Sequence, residues 1–309
     1  MEDQWAQAML RGDFETAWRI CDAVLKQRRD SGLVCAHWPR HRQFIWDGTP
    51  PHGKRVLVRC YHGLGDTLQF ARLLRMLRRD AAHVTLWVQP QLIALLQDIP
   101  GVDRLLALHE GTASIDYDLD IELMELPHLL RLRLCDLPGT LPYLRVPRPA
   151  RADGPPRIGL VHRSGAWNPE RSIDPALLAP LLNCAPHLRW YSLDYPASRA
   201  TPRLPSLACE DMRCMACCMI SLDLVITVDT MQAHLAGTLG VPTWLLLPEA
   251  CDWRWMLDRT DSPWYPTMRL FRQARAGCWQ PVLEEVQHAL QMLIRARDTR
   301  STGCRAFSD

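Results

Sequence analysis

The sequence predicts an α/β protein built from two Rossmann-like units in tandem. Three observations carry that expectation. Short apolar runs rich in Val, Ile and Leu alternate with helix-spaced segments, the pattern of parallel strands covered by helices. A glycine turn, Gly63-Leu-Gly-Asp66, follows the first such run at once and opens a helix. A stretch over 142–156 with five prolines interrupts the alternation, which then restarts.

Residues 3–29 carry apolar side chains three and four positions apart, so they read as helix, divided in two at Gly12 and Asp13. Gly12-Asp-Phe14 followed by Ala17-Trp18 resembles the end of a tetratricopeptide repeat array. One repeat of that kind cannot bury its own face and must dock on a neighbour. A connector rich in Pro, His and Arg covers 31–54. In the first unit, strands are expected over 55–60, 84–88, 104–108 and 119–123, with helices over 67–79 and 90–97. In the second, strands are expected over 158–162, 189–193, 224–228 and 243–247, with helices over 175–183, 231–239 and 281–295. The polar tail is expected to fray. The expected organisation is a helical segment (1–30), a first unit (31–150), a second unit (151–297) and a flexible tail (298–309).

Composition narrows the function. The chain has 309 residues, 36 basic and 34 acidic, and a net charge of +2, a balance that excludes a dedicated nucleic-acid binder. Lys26 and Lys54 are the only lysines, and an arginine excess spread over the chain locates no site. No run of roughly 18 apolar residues spans a membrane. The amino-terminal stretch lacks the basic and apolar regions of a signal peptide, so a cytoplasmic protein is expected. The 12 cysteines are dispersed and expected to be reduced. Cys214 and Cys217 have the two-residue gap of metal sites, and with Cys251 and Cys278 they form the one candidate set. No second close pair completes it, and 212–220 equally reads as an apolar helix in which cysteine packs as a small hydrophobe.

Ligands of Rossmann-like sheets bind beyond the carboxyl ends of the strands. There, Gly63 and Gly65 let the backbone turn into a helix whose N–H groups attract anions, with Asp66 in its first turn. The plainer reading of Asp66 is a helix cap. Asp229 and Thr230 end an apolar run and begin a helix, and His234 lies one turn further on the same face. A diphosphate at Thr230 would meet His234; otherwise Asp229 and Thr230 cap the helix and His234 is a core histidine. Ser164 and Arg171 follow the first strand of the second unit and suit phosphate. Trp253 and Trp255 belong to a stiff aromatic loop, suited either to stacking on a base or sugar or to plugging the domain interface. Walker A, His-Glu-x-x-His, Gly-x-Ser-x-Gly and EF-hand patterns are absent.

Three segments together are more specific than any one: Gly63 to Arg72, Val225 to Gly237, and Asp261-Ser-Pro-Trp-Tyr-Pro266 with Arg269 to Gln273. Over about 46–291 the chain resembles the heptosyltransferase-like, family 9-type domains of bacterial tetratricopeptide-repeat glycosyltransferases. The resemblance implies a GT-B fold, with the acceptor on the first domain and the sugar nucleotide on the second. It puts the general base on Asp66 and the donor diphosphate on Asp229, Thr230, Met231, Gln232 and His234. Ser164 and Arg171 become further phosphate contacts, and Trp253, Trp255 and Asp261 candidates for the base or sugar pocket. The expected activity is inverting transfer from an ADP-, GDP- or UDP-sugar to a hydroxyl of a glycan, lipopolysaccharide or protein. Neither a cofactor nor a metal is expected, and peripheral membrane association is compatible with it. Residues 163–172 are shorter than the corresponding stretch of relatives, which keeps open the alternative of a non-catalytic binding or scaffold protein on the same fold.

Overall fold

The computed structural model describes residues 2–137, 142–150, 154–166, 168–195, 201–207 and 209–305. Part of the expected linker (151–153), Trp167 and the end of the tail (306–309) lie outside them. The chain opens with helices α1 (Glu2–Leu10) and α2 (Phe14–Ser31). They part where Gly12 takes a φ of +73° and Asp13 caps α2 by accepting the Thr16 N–H.

The first unit runs β1 (Arg55–Arg59), α3 (Leu64–Phe70), α4 (Leu74–Asp80), β2 (His83–Val88), α5 (Ile93–Leu96), β3 (Arg104–Ala107), β4 (Leu119–Glu122) and α6 (Leu126–Leu129). Its four strands are parallel, in the order β3-β2-β1-β4. The second runs β5 (Arg157–Val161), α7 (Ala179–Asn183), β6 (Arg189–Ser192), α8 (Met212–Met219), β7 (Leu224–Val228), α9 (Met231–Leu239), β8 (Thr243–Leu247), β9 (Met268–Arg272) and α10 (Trp279–Arg305). Its five strands are also parallel, ordered β6-β5-β7-β8-β9. The central apolar runs are covered on both faces, as in β7, where every residue is buried, whereas the edge strand β3 has none buried.

Besides the short helix α6, which is not among the expected helices, and a 3-10 turn over Pro175–Leu178 in place of the start of the expected helix 175–183, the strand β9 and the end of α10 depart from expectation. Strand β9 is not among the expected strands, because Arg269 and Arg272 interrupt its apolar run; at the sheet edge Arg269 faces outward. The tail does not end its helix at 295: α10 continues to Arg305, consistent with the absence of proline and glycine over 282–302. Among the described residues no helix is long and apolar enough to cross a membrane.

The helical hairpin docks on both units. Toward the first, Trp18 Nε1 donates to Leu132 O at 2.8 Å, and Asp22 meets His128 at 2.8 Å and Arg131 at 2.6 Å. Toward the second, Leu257 N donates to Leu10 O, Trp5 meets Trp253 edge-on, and Phe14 packs on Trp264. Tyr265 lies equally tight against α9, where a Cβ added to Gly237 would stand 2.3 Å from its ring. Gly237→Ala should therefore cost about 1–3 kcal/mol, read as a lower urea midpoint. Gly154→Ala, with its nearest neighbour 4.0 Å away, should leave the midpoint unchanged.

Candidate active site

The strand orders place a topological switch between β1 and β4 in one sheet and between β5 and β7 in the other, where such sheets open a ligand crevice. A cavity of about 700 Å³ lies there. The segments beyond the strand ends form its walls: residues 62–66 after β1, Met124 after β4, 163–166 and Arg171 after β5, and Asp194 and Tyr195 after β6. Asp229, Thr230, Met231, Gln232 and His234 come after β7, and Asp252 and Arg254 after β8.

Helices α3 and α9 both begin at this cavity, and their N-terminal ends touch. The contact requires Gly65, since a Cβ there would sit 2.8 Å from the His234 ring and 3.4 Å from Met231 Cα. Asp66 does cap α3: its Oδ2 accepts the Gly63 N–H at 2.9 Å. Its Oδ1 accepts from Arg254 Nη2 at 2.5 Å. A carboxylate offers about four acceptor positions, so two remain, and the side chain is 26% exposed toward the cavity.

Arg254 is the residue that sequence reasoning missed. Its Nη1 donates to Asp252 at 2.9 Å and its Nε to Gln69 Oε1 at 2.7 Å, while Trp253 stacks under the guanidinium. Burial opposes its charge, but Asp252 and Asp66 outweigh that and keep it protonated. Asp252 is also 3.9 Å from Arg171, whose Nη1 lies 3.0 Å from Asp229. Burial raises Asp229 to about 6 against the pull of Arg171. The cavity floor is thus a row of alternating charges.

His234 is neutral. Burial, reinforced by Arg254, lowers it to about 3. Its Nδ1 is 2.9 Å from the Tyr265 hydroxyl, which burial holds protonated. Nδ1 is engaged by this pair, which leaves Nε2 on the side facing Gly65. Thr230 caps no N–H of α9 with its side chain; its hydroxyl makes only long contacts to Val228 O and Thr227. Gln232 lines the cavity but spends its amide on Leu193 O at 2.9 Å. Ser164 does not present its hydroxyl freely: it donates to Asn168 O at 2.7 Å and meets Ser172, closing the short loop on itself.

Three expected residues are not brought to the cavity. Trp255 is fully buried behind His234, stacked on it at 5.4 Å. Trp253 packs among Trp5, Phe70 and Trp264. The 3-10 turn Trp253–Trp255 sends both indoles into the interface and the arginine between them into the site. Asp261 is a surface partner of Arg259 at 2.7 Å. An Asp-x-Asp pattern, not anticipated, occurs at Asp116, Asp118 and Asp120 but outside the cavity; Arg55 pairs with Asp118 and Arg59 with Asp120.

No family model matches the chain. It is similar to protein FlbA of Caulobacter vibrioides, 26% identical over 291 residues, covering 80% of this chain and 48% of FlbA. The chain thus spans about half the length of that curated relative. Among solved structures it resembles the E. coli ADP-heptose LPS heptosyltransferase II, with a TM-score of 0.59 at 15% identity over 79% of this chain and 99% of that one. The family 9 glycosyl transferase of Veillonella parvula gives 0.51 at 14% identity, over 73% and 87%. Its fold is that of the family 9 glycosyltransferases. This GT-B fold also relates it to TibC of enterotoxigenic E. coli, described as iron-containing and dodecameric, with a TM-score of 0.55 at 10% identity over 76% of this chain and 67% of that one.

The expectation that no metal is involved does not stand: that fold neighbour is described as iron-containing, and this chain gathers three thiols able to hold an ion. Cys209, Cys214 and Cys218 bring their sulfurs within 4.8 Å of one another. The set Cys214, Cys217, Cys251 and Cys278 does not gather. Cys251 is bound instead by Arg272 Nη1 at 2.9 Å, and Cys278 sits at the start of α10.

The titration of His234 is measurable. Its folded value lies below its ordinary 6.5, so its neutral form contributes stability that is complete above about 6.5 and is lost as the pH falls toward 3. Asp229, raised to about 6, works in the opposite direction between about 6 and 4. The advantage of the wild type over His234→Gln, read by urea unfolding, should therefore shrink as the pH is lowered from 7 to about 4.5. A gap that stays constant would remove His234 as the source.

Proposed function

We propose that the chain transfers a sugar from a nucleoside diphosphate to an acceptor hydroxyl in a single inverting displacement. Asp66 is the general base, and the N-terminal end of α9 holds the diphosphate. The observation that carries this reading is that Asp66 and the turn from Asp229 to His234 line one cavity from opposite units. The acceptor belongs to the α3 side and the donor to the α9 side.

An acceptor hydroxyl is a poor nucleophile at neutral pH, and a carboxylate within reach takes its proton as it attacks the anomeric carbon. The leaving diphosphate gains negative charge. Unpaired N–H groups at the start of α9, the Thr230 hydroxyl and the His234 imidazole, in the tautomer protonated at Nε2, are donors that can receive it. Arg171 and Arg254 add positive charge once the anion draws them from their carboxylates. Heptosyltransferase II is named for ADP-heptose, and TibC is described in complex with ADP-D-beta-D-heptose, so an ADP-linked heptose is the first donor to test. A glycan, a lipopolysaccharide or a protein supplies the acceptor hydroxyl.

One observation favours a non-catalytic reading: Arg171, Arg254 and Ser164 already have partners within the protein. Calorimetric titration with ADP, GDP, UDP and their sugars separates the two. One nucleotide should bind, with His234→Ala weakening it at least about tenfold. Asp66→Asn should retain that binding while turnover falls about 10²- to 10⁴-fold. Full activity in Asp66→Asn would remove the base, and a folded protein that binds no nucleotide would favour a scaffold.

A further inference from the structure

Helix α8 divides its work between two faces. Met212, Met215, Ala216 and Met219 are buried. Cys214, Cys217 and Cys218 lie on the other side, each only half-buried. Cysteine used as a small hydrophobe belongs inside, yet here methionine and alanine fill the core and the thiols face away from it. Cys214 and Cys218 are one helical turn apart. Cys209 comes from the stretch that precedes the helix, and that stretch is fixed: the Asp211 side chain caps α8 by accepting the Cys214 N–H at 2.7 Å.

We infer that Cys209, Cys214 and Cys218 form a binding site for one thiophilic divalent cation, for which zinc is the natural probe. Their sulfurs lie within 4.8 Å of one another. Tetrahedral zinc–sulfur bonds of about 2.3 Å separate ligand sulfurs by about 3.8 Å, so the three need only close slightly. Soft thiolates in a tetrahedral arrangement select such ions over calcium or magnesium. On binding, each thiol releases its proton to solvent as its sulfur forms a coordinate bond, and the fourth position takes water; nothing is oxidised or reduced.

The site lies outside the cavity. Its effect is mechanical. The segment carrying Cys209 follows Ser206, which bridges to Ser192 at the end of β6. Arg213 of α8 donates to Ala94 O of the first unit at 3.1 Å. A bound ion clips the chain beyond β6 onto the helix that reaches across to the other unit.

The test uses the full chain, reduced, stripped by chelator, loaded with zinc and freed of excess by gel filtration. Elemental analysis should find about one zinc per chain. Cobalt in its place should give the sulfur-to-metal charge-transfer bands of a thiolate site. Cys209→Ser/Cys218→Ser should lose the ion while keeping the far-ultraviolet dichroism, and Cys251→Ser/Cys278→Ser should keep it. Chelator should lower the Tm of the wild type and not that of Cys209→Ser/Cys218→Ser. The inference is overturned if zinc passes through with every thiol still free. It is equally overturned by an intact mass short of two hydrogens, which marks a disulfide, or by metal retained without Cys209 and Cys218.

Discussion

The buried guanidinium of Arg254 governs the geometry of the cleft. A charge removed from water must be paired and hydrogen-bonded, and the partners of this one belong to both units: Asp66 and Gln69 on α3, Asp252 beyond β8. Arg72, also buried, makes a second crossing, from Gln69 O on its own side to Trp264 O on the other. Two such arginines hold the sheets in one relation, because separating them would strand either the cations or the carboxylates. The α1–α2 hairpin lies over the same junction, with Trp5 on Trp253 and Phe14 on Trp264. It is part of this packing.

The same interaction explains the character of the cavity. An anion-binding site usually gathers unpaired positive charge. Here the helix ends supply N–H groups, and two of the three arginines lining the cavity, Arg171 and Arg254, are paired with carboxylates. On the proposed chemistry a diphosphate must compete with Asp229 for Arg171 and with Asp66 and Asp252 for Arg254. Donor binding is then an exchange of partners, and it frees one oxygen of Asp66 on the side where the acceptor hydroxyl arrives.

Much of this arrangement was legible in the sequence because it is local. Apolar runs became buried parallel strands, Gly63 to Asp66 became a strand-to-helix turn, and Asp229 to His234 became the start of a helix. What escaped is non-local. Arg254 stands 188 residues from Asp66, and nothing in its neighbourhood distinguishes it from a surface arginine between two tryptophans. Those tryptophans drew attention as stacking platforms, although large rings at a domain interface lower the free energy most by burying themselves. The cysteines mislead in a similar way. A two-residue gap suits ligands presented by a turn, whereas on a helix the aligned spacing is four, which selects Cys218, and only the fold brings in Cys209.

On the proposed chemistry, the Arg171–Asp229 pair lets a site rich in paired charges accept an anion. A carboxylate at its ordinary value would remain charged when its arginine turns away, and would then repel phosphate. Asp229 is not in that position, because burial has already lifted it to about 6 with Arg171 still beside it. Withdrawing the guanidinium removes the strongest of the interactions that favour the charged form, so the carboxyl rises further. On the proposed chemistry, protonation of Asp229 would replace the arginine as its partner and leave the diphosphate a neutral neighbour. On that chemistry, the burial that makes the site look self-satisfied is also what allows its charges to be reassigned.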